Sequence, residues 1–177
     1  RSSKQSSKLI AFFGRAIYNY KEKYLLSVSA RYEGSSRFGA NNKWGLFPAV
    51  SAGWRIDQEE FMKNVKWLDE LKFRIGYGVT GNQDIANYQS LARLSTSGKF
   101  YYNGAWVNSY GPASNANEDL KWERKSEFNV GLDFSFFKGR LSGAIDYYTR
   151  VTSDLLYTYS VPVPPNLYNR KFTNVGV

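Results

Sequence analysis

The chain has 177 residues, carries 24 Lys and Arg against 15 Asp and Glu for a formal net charge of +9, and contains neither Cys nor His. These two absences exclude disulfide scaffolds, thiolate metal sites and catalysis by an imidazole base. Hydrophobic residues make up 42% of the chain and aromatic residues 18%, which is too rich for a disordered polymer. We therefore expect a folded protein outside the common classes of metalloenzyme and triad hydrolase.

Alternation of large apolar residues with small or polar residues predicts six long strands. In chain order they are Leu9–Tyr20, Tyr24–Glu33, Trp44–Ile56, Leu71–Thr80, Trp122–Phe137 and Leu141–Arg150. In the fifth, Phe128, Val130 and Leu132 alternate with Asn129 and Gly131. Strands of soluble proteins usually have about five or six residues, whereas strands that cross a membrane need about 9 to 11. The pattern is therefore typical of the wall of a transmembrane β-barrel, with one face toward lipid and one toward the lumen.

The connections predicted at one end of this wall are short. Lys21–Lys23 and Lys138–Arg140 are basic tight turns, which indicates the periplasmic side of a barrel. A third link on the same side, Asp57–Glu70, has Phe61 and other apolar residues at helical spacing after a candidate N-cap at Asp57. This spacing predicts one short amphipathic helix against the periplasmic rim.

The connections predicted at the opposite, outer end are long: Gly34–Lys43, Gly81–Lys121 and the tail after Val151. A loop as long as the second usually has a functional reason. Its aromatic residues are accompanied by several amides and are the predicted substrate-binding residues: Tyr88, Tyr101, Tyr102, Trp106 and Tyr110. Aromatic rings stack on sugar rings and on peptide side chains. The alternative is that these rings pack the loop onto itself or onto a lid protein.

Three weaker signals do not support a cofactor, a metal or a nucleic acid. Gly76–Gly81 matches the dinucleotide pattern G-x-G-x-x-G, but its first glycines alternate along a predicted strand and no helix follows. Asn115, Asn117 and Asp119 are spaced like calcium ligands, yet the glycine and distal glutamate of a calcium loop are absent. The positive charges are scattered rather than gathered in one stripe, so nucleic-acid binding is not expected.

A soluble β-sandwich would also show alternating strands, because one face of each sheet packs inward. The very long connection between the fourth and fifth strands, Gly81–Lys121, argues against that fold, since hairpin loops usually have two to five residues.

Short motifs spread over essentially the whole chain carry a family resemblance. They are Phe13-Gly14-Arg15, Tyr24-Leu25-Leu26, Gly34–Gly39, Trp44–Pro48, Trp54-Arg55, Lys66-Trp67-Leu68, Gly76–Gln83, Asn117–Glu123, Asp146-Tyr147-Tyr148, Val161–Pro165 and Thr173–Gly176. In this order they closely resemble the barrel segments of the SusC/RagA family of TonB-linked outer-membrane transporters.

The resemblance implies an all-β fold, in which residues 1–177 form about six strands of an antiparallel transmembrane β-barrel with about 22 strands. Six strands cannot close such a pore, so we expect a fragment whose N-terminal plug and TonB box lie outside this chain. The implied function is import of nutrients, as glycan or peptide oligomers, with energy relayed by TonB and with a SusD-like surface lipoprotein as a lid. The implied location is the cell outer membrane, among lipid and lipopolysaccharide.

The alternative function is a surface-exposed β-barrel or sheet used for binding or adhesion without transport. A plug and a TonB box upstream of Arg1 would distinguish transport from adhesion. Enzyme activity is not expected, because no pair of carboxylates is placed for acid–base catalysis such as a glycosidase requires.

Overall fold

The structure, a computed structural model, describes residues 4–176, which form ten antiparallel β-strands. They are β1 (Leu9–Tyr20), β2 (Tyr24–Ser35), β3 (Trp44–Arg55), β4 (Leu68–Asn82), β5 (Arg93–Tyr102), β6 (Ala105–Ser114), β7 (Glu123–Phe136), β8 (Leu141–Ser153), β9 (Leu155–Ser160) and β10 (Arg170–Val175). Six of them form one sheet in the order β1-β2-β3-β4-β7-β8, which we call the wall. The pairs β5–β6 and β9–β10 form two separate hairpin sheets. All six predicted strands are confirmed, and together they make an open sheet rather than a closed barrel.

The two faces of the wall are packed in the opposite way to a soluble sheet. Leu26 and Val28 on β2 are 41% and 46% exposed, whereas Ser27 and Ser29 between them are half-buried. The register carries this difference across the sheet, since Val28 lies opposite Val50. Within residues 4–176 no second layer covers the apolar face, so the soluble sandwich is excluded. We call these two surfaces the apolar face and the polar face of the wall.

Aromatic residues gather at both ends of the apolar face. Tyr20 stacks on Tyr24 with 6.4 Å between ring centroids at one end, and Tyr32 stacks on Trp44 at 4.8 Å at the other. Such girdles are usual where a membrane meets water, because these rings are apolar bodies with polar tips. Trp122, the first residue of the fifth predicted strand, is instead buried in a core described below.

The short connections define what we call the turn end of the wall. Lys21 and Glu22 both have positive φ, 53° and 57°, as the two central residues of a tight hairpin turn often do. Between β7 and β8 the turn includes Lys138 and Gly139, with φ of 60° and 77°. The predicted tight turns are therefore confirmed.

The amphipathic helix predicted over Asp57–Glu70 is wrong. The connection contains only two single 3₁₀ turns, Ile56–Gln58 and Glu60–Met62, and β4 already begins at Leu68. Asp57 is no N-cap, because its carboxylate accepts hydrogen bonds from Arg55 and from the Leu71 backbone N–H. Pairing with β7 thus takes the last residues of the predicted helix into the sheet. None of the helical segments in residues 4–176 is long or apolar enough to span a membrane.

A small hydrophobic core lies at the other end of the wall, which we call the outer end. Its buried members are Phe38, Phe47, Val79, Ile85, Leu120 and Trp122, with Leu156 and Phe172 packed against them. The rings of Phe38 and Trp122 are 4.6 Å apart, and the Trp122 indole N–H donates to the Lys43 carbonyl over 3.0 Å. Gly81 lies beside this outer core, where a Cβ would overlap the ring of Phe47. The long connections are therefore folded on a small core that they share with residues of β3 and β4.

Candidate functional site

The hairpin β5–β6 carries four of the five predicted substrate-binding residues. Its strands are joined by Asn103 and Gly104, both with positive φ (47° and 80°), which is the requirement of the common two-residue hairpin turn. The register places Tyr101 opposite Trp106 and Thr96 opposite Tyr110, with an irregularity between Thr96 and Gly98. The long outer connection is thus ordered into a ribbon.

The aromatic residues of this ribbon divide between its two faces. Tyr101 and Trp106 form an edge-to-face pair with 5.5 Å between ring centroids, and Tyr110 lies on the same face because it is four residues from Trp106 in one strand. Tyr102 lies on the opposite face beside Phe100, with 6.4 Å between ring centroids. We call the first set the Trp106 face.

Both faces of the ribbon are open. Trp106 is 67% exposed, and Tyr101, Tyr102 and Tyr110 are exposed to a similar degree. Two-stranded ribbons are only marginally stable in water, and large apolar rings on both of their faces favour a further binding partner. The alternative that the rings pack the loop onto itself therefore does not hold for these four.

Tyr88 lies apart from the ribbon. Its backbone has a positive φ of 66°, and its hydroxyl accepts a hydrogen bond of 3.0 Å from the Ser6 backbone N–H. It lines a pocket with Ser6, Lys8, Ser36 and Lys43, next to the segment that enters β1. The hydrogen bonds with the side chain and backbone of Ser6 lower the pKa of Tyr88 below its usual value. The sequence placed this residue with the other four, but the fold does not.

The base of the ribbon is held by hydrogen bonds to the preceding loop. Arg93 donates to Ser114 Oγ from its backbone N–H (3.0 Å) and from Nε (3.2 Å), and its Nη2 donates to Gln89 (3.2 Å). Ser114 Oγ in turn donates to the Leu91 carbonyl over 2.9 Å. The aromatic rings are therefore presented on a fixed stem.

Asn115 continues this attachment and was not singled out as structural by the sequence. Its amide nitrogen donates to the carbonyls of Tyr168 (2.7 Å) and Arg170 (2.8 Å), and its oxygen accepts from the N–H groups of Leu167 and Tyr168 (both 3.1 Å). The side chain is buried, so the amide is saturated by backbone of the C-terminal tail. A single asparagine thus joins the long connection to the β9–β10 segment.

Asn117 and Asn174 complete the same set of amide clamps. Asn117 donates to the Phe172 carbonyl (2.9 Å), and Asn174 donates to the carbonyls of Lys121 and Asp154 (both 2.8 Å). The calcium-like spacing that begins at Asn115 therefore has a structural explanation, because the amides of Asn115 and Asn117 donate hydrogen bonds to the backbone of the C-terminal tail. Among the described residues no group of His, Cys, Asp or Glu side chains is placed to hold a metal ion.

The charges on the polar face of the wall are joined across strands. Arg74 on β4 makes a two-point contact with Asp133 on β7, both distances being 2.8 Å, and a further contact of 3.0 Å with Asp146 on β8. Arg150 donates to Glu127 through Nε over 2.8 Å. Asp146 and Arg150 on β8 thus form ion pairs with residues of β4 and β7, as is usual for structural charges in a barrel interior.

A second polar cluster stabilises the turn end of the wall. The Glu59 carboxylate accepts hydrogen bonds from the Tyr24 hydroxyl (2.8 Å), Trp54 Nε1 (3.1 Å) and Lys23 Nζ (3.1 Å). Bonds from Tyr24, then Trp54 and Lys23, lower the pKa of Glu59 from its usual 4.5 to about 2. The connection between β3 and β4 is thereby fixed to the turn between β1 and β2.

Comparison with known families gives one match over the whole chain. Residues 1–177 match the model described as TonB dependent receptor-like, beta-barrel. The chain is 41% identical over 168 residues to TonB-dependent receptor P39 of Formosa agariphila and 39% identical over 171 residues to TonB-dependent receptor SusC of Bacteroides thetaiotaomicron. These alignments cover 95% of this chain but only 16% and 17% of the two relatives. The chain therefore spans about a sixth of their length.

Solved structures give the same result for the fold. The RagAB peptide transporter matches with a TM-score of 0.83 and 31% identity over 96% of this chain and 18% of that chain. The RagAB peptide importer in its 'open-open' state matches with a TM-score of 0.85 and 33% identity over the same shares. The wall and its outer connections are thus similar to a segment of a much larger transporter chain.

Proposed function

The chain belongs to the TonB dependent receptor-like β-barrel family, and we propose that the full-length protein imports nutrient oligomers, glycan or peptide, across the outer membrane. The apolar face of the wall meets lipid, and the basic residues of the outer connections meet lipopolysaccharide phosphates. TonB supplies the energy through a region outside this chain, and a SusD-like surface lipoprotein covers the outer end.

The observation that supports this proposal most directly is the inverted packing of the wall. An exposed face of Leu, Val, Ile and aromatic residues is unfavourable in water and favourable in lipid, while the charged and small residues of the other face suit a water-filled lumen. The unpaired edges of β1 and β8 require further strands in a membrane, because unsatisfied backbone groups are costly in lipid. A large barrel, as in the relatives, supplies them.

The second support is the aromatic ribbon at the outer end. We place cargo contact on the Trp106 face, where the paired rings of Tyr101 and Trp106 and, four residues along the strand, the ring of Tyr110 are exposed on one side. Stacking on such rings is available to sugar rings and to peptide side chains alike. In this proposal, Tyr102 on the opposite face contacts the lid lipoprotein, and Tyr88 contacts cargo near the segment that enters β1.

Uptake by cells tests the proposed import. The full-length gene is deleted in its host, and uptake of labelled oligosaccharide and oligopeptide pools is measured with and without a protonophore, which removes the proton-motive force that drives TonB. We expect the deletion strain to lose uptake of one pool, and the protonophore to abolish the same uptake in the parent strain. Unchanged uptake of both pools in the deletion strain would contradict the proposal.

Paired substitutions test the role of the ribbon. The double variant Tyr101→Ala/Trp106→Ala in the full-length protein removes the edge-to-face pair, and uptake at low cargo concentration should fall about tenfold or more, since stacking on aromatic rings contributes on the order of 1–3 kcal/mol per ring. Tyr102→Ala, on the opposite face, is the matched control and should leave cargo affinity unchanged. Equal losses in both variants would assign the ribbon to the lid rather than to cargo.

A further inference from the structure

The polar face of the wall contains a trough that crosses three strands. One row of directly opposite residues runs Arg15, Ser29, Ala49, Gly78, Glu127 and Arg150, from β1 to β8. The row next to it, toward the turn end, runs Ile17, Ser27, Ser51, Gly76, Asn129 and Tyr148. The middle of both rows holds only Ser, Ala and Gly, and larger side chains stand on β1 and on β7, so the surface is concave between them.

The floor of the trough contains Gly76 and Gly78, the first two glycines of the segment that matched the dinucleotide pattern. Gly76 and Gly78 lie in the interior of β4 on the polar face, where glycine weakens a strand and often marks close approach of a ligand or another backbone. At Gly76 the Asn129 side chain fills the space that a Cβ would take, with Oδ1 2.6 Å from that position, whereas at Gly78 only the Ala49 Cβ lies within 4 Å, at 3.4 Å. A bound chain can therefore come close to the backbone of the wall at Gly78, and the Asn129 amide over Gly76 is available to it as a hydrogen-bonding group.

The ends of the trough carry two cations that have no acidic partner among the described residues. Arg15 on β1 makes one long hydrogen bond, 3.3 Å, from Nε to Ser27 Oγ, and Lys125 on β7 makes none through its ammonium group. Glu127, the carboxylate of the trough, is already paired with Arg150. Both unpaired cations line the same concave surface as Ser29 and Gly78. At Arg74 and Asp133 on the same face, by contrast, cation and carboxylate are matched.

We propose that this trough is a lumen subsite for an acidic linear oligomer, whose carboxylates bind Arg15 and Lys125 while its backbone lies on the floor formed by Ser29, Ala49 and Gly78. Neighbouring strands are about 4.8 Å apart, so the four steps from β1 to β7 span about 19 Å, or about six residues of an extended chain. The inference rests on the proposed import function, because cargo reaches the lumen face of the wall only if the full-length protein is an importer.

The position of the trough fits cargo that arrives from outside. Arg15 and Ser29 lie near the middle of β1 and β2, four residues along the strands from the row of Arg74, and Lys125 is the third residue of β7 from its outer end. A ligand leaving the aromatic ribbon at the outer end therefore reaches these cations before the ion pairs of Arg74 nearer the turn end. The positive charges of Arg15 and Lys125 would therefore favour acidic oligomers among those that have first stacked on the aromatic ribbon.

Binding of matched acidic and neutral probes to the purified full-length protein tests the subsite. The peptide pair is penta-glutamate and penta-glutamine, and the glycan pair is penta-galacturonate and its methyl ester. We expect the acidic member of one pair to bind at least about tenfold more tightly than its neutral partner, an advantage that salt reduces. The pair that shows it identifies the cargo as peptide or glycan. Acidic probes that bind no better than neutral ones would overturn the proposal.

The double variant Arg15→Gln/Lys125→Gln should remove the advantage of the acidic probe and leave neutral binding unchanged. Lys72→Gln is the matched control, because Lys72 is also a polar-face cation without an acidic partner among residues 4–176 but lies nearer the turn end, outside the trough. Heat-dependent gel mobility confirms that each variant is a folded barrel. If the double variant binds acidic probes normally but admits a large hydrophilic antibiotic into cells, the cations hold another part of the transporter, and the proposal is overturned while import stands.

Discussion

The wall and the outer connections belong to one chain, but the wall exposes its large apolar side chains whereas the outer connections bury theirs. In the wall, Val28 and Val50 face outward and Ser27 and Ser51 face inward, and no second layer covers the apolar side within the described residues. In the outer connections, Leu120 and Trp122 are buried against aromatic neighbours in an ordinary hydrophobic core. This difference in the burial of apolar side chains is what lipid around the wall and water around the outer connections would produce. Lipid replaces a second layer for the wall, whereas water forces the loops to build a core.

The two regions also satisfy their polar groups differently. The wall uses backbone ladders and cross-strand ion pairs such as Arg74 with Asp133. The outer connections have few ladders with the wall and instead use side-chain amides such as Asn115 to saturate the backbone of a distant segment. Loss of one side chain should therefore affect only its own region, and the following variants test this.

Trp122→Ala should have the largest effect and should act on the outer connections. Removing a buried Trp costs about 3–5 kcal/mol through lost contacts and the cavity that remains. We expect the outer segments to become sensitive to protease while the wall keeps the heat-dependent gel mobility of a folded barrel. Trp106→Ala, at an exposed position of the ribbon, is the matched control and should leave both properties unchanged. Loss of barrel mobility in Trp122→Ala would show that the two regions are coupled.

Ile145→Arg should lower the unfolding free energy of the barrel by placing a charge on the face that meets lipid. Ile145 lies on the apolar face of β8, and an Arg facing lipid costs about 2–4 kcal/mol near the bilayer midplane. Ala144→Arg places the same side chain on the polar face one residue away and should cost much less. Unfolding of the full-length protein by urea in lipid vesicles measures both. Equal destabilisation would contradict the assignment of the two faces.

Asn115→Ala should loosen one clamp without unfolding the outer core. The substitution removes the side-chain partner of two carbonyls and two N–H groups of the tail, at a cost of about 1–3 kcal/mol. Hydrogen exchange of residues 167–170 should become faster. Asn108→Ala, on the exposed ribbon, should leave that exchange unchanged, and faster exchange in both variants would argue against a specific clamp.

Acid should have the smallest effect, confined to the turn end. Because the folded state lowers the pKa of Glu59 from 4.5 to about 2, its carboxylate contributes stability that is fully present above 4.5 and is lost as the pH falls toward 2. Hydrogen exchange of residues 56–67 should therefore rise over this window in the parent protein. Glu59→Gln should show faster exchange already at pH 7 and a flatter pH dependence. An identical pH profile in both proteins would remove Glu59 as the cause.

The strands of the wall were predictable because a single-layer sheet between lipid and lumen alternates without interruption. The ribbon β5–β6 was missed, since Ser95, Thr96 and Ser97 blur the alternation and the register shifts after Thr96. The dipeptide Asn103-Gly104 between aromatic runs was the signal that could have found it. The helix predicted at Asp57 failed because strand pairing from Leu68 onward outweighed local spacing.

For the candidate site residues, the sequence predicted a shared outer loop but not how the fold arranges them, and their role in substrate binding stays a prediction. It placed Tyr101, Trp106 and Tyr110 in an outer loop, and the fold puts them on one face of a ribbon. It grouped Tyr88 with them, although a hydrogen bond to Ser6 holds that ring elsewhere. Proximity in a loop does not determine which face a side chain occupies, because one extra residue in a strand reverses it.

By itself, the sequence determined the class of fold, the six strands of the wall and the two kinds of connection, because period-two alternation is a local property of the chain. Only the tertiary structure decided that Trp122 is a core residue, that Asn115 is a clamp and that Arg15 and Lys125 end one trough over Gly78. These relations join residues far apart in sequence, and they depend on strand register and loop packing, which no local pattern encodes.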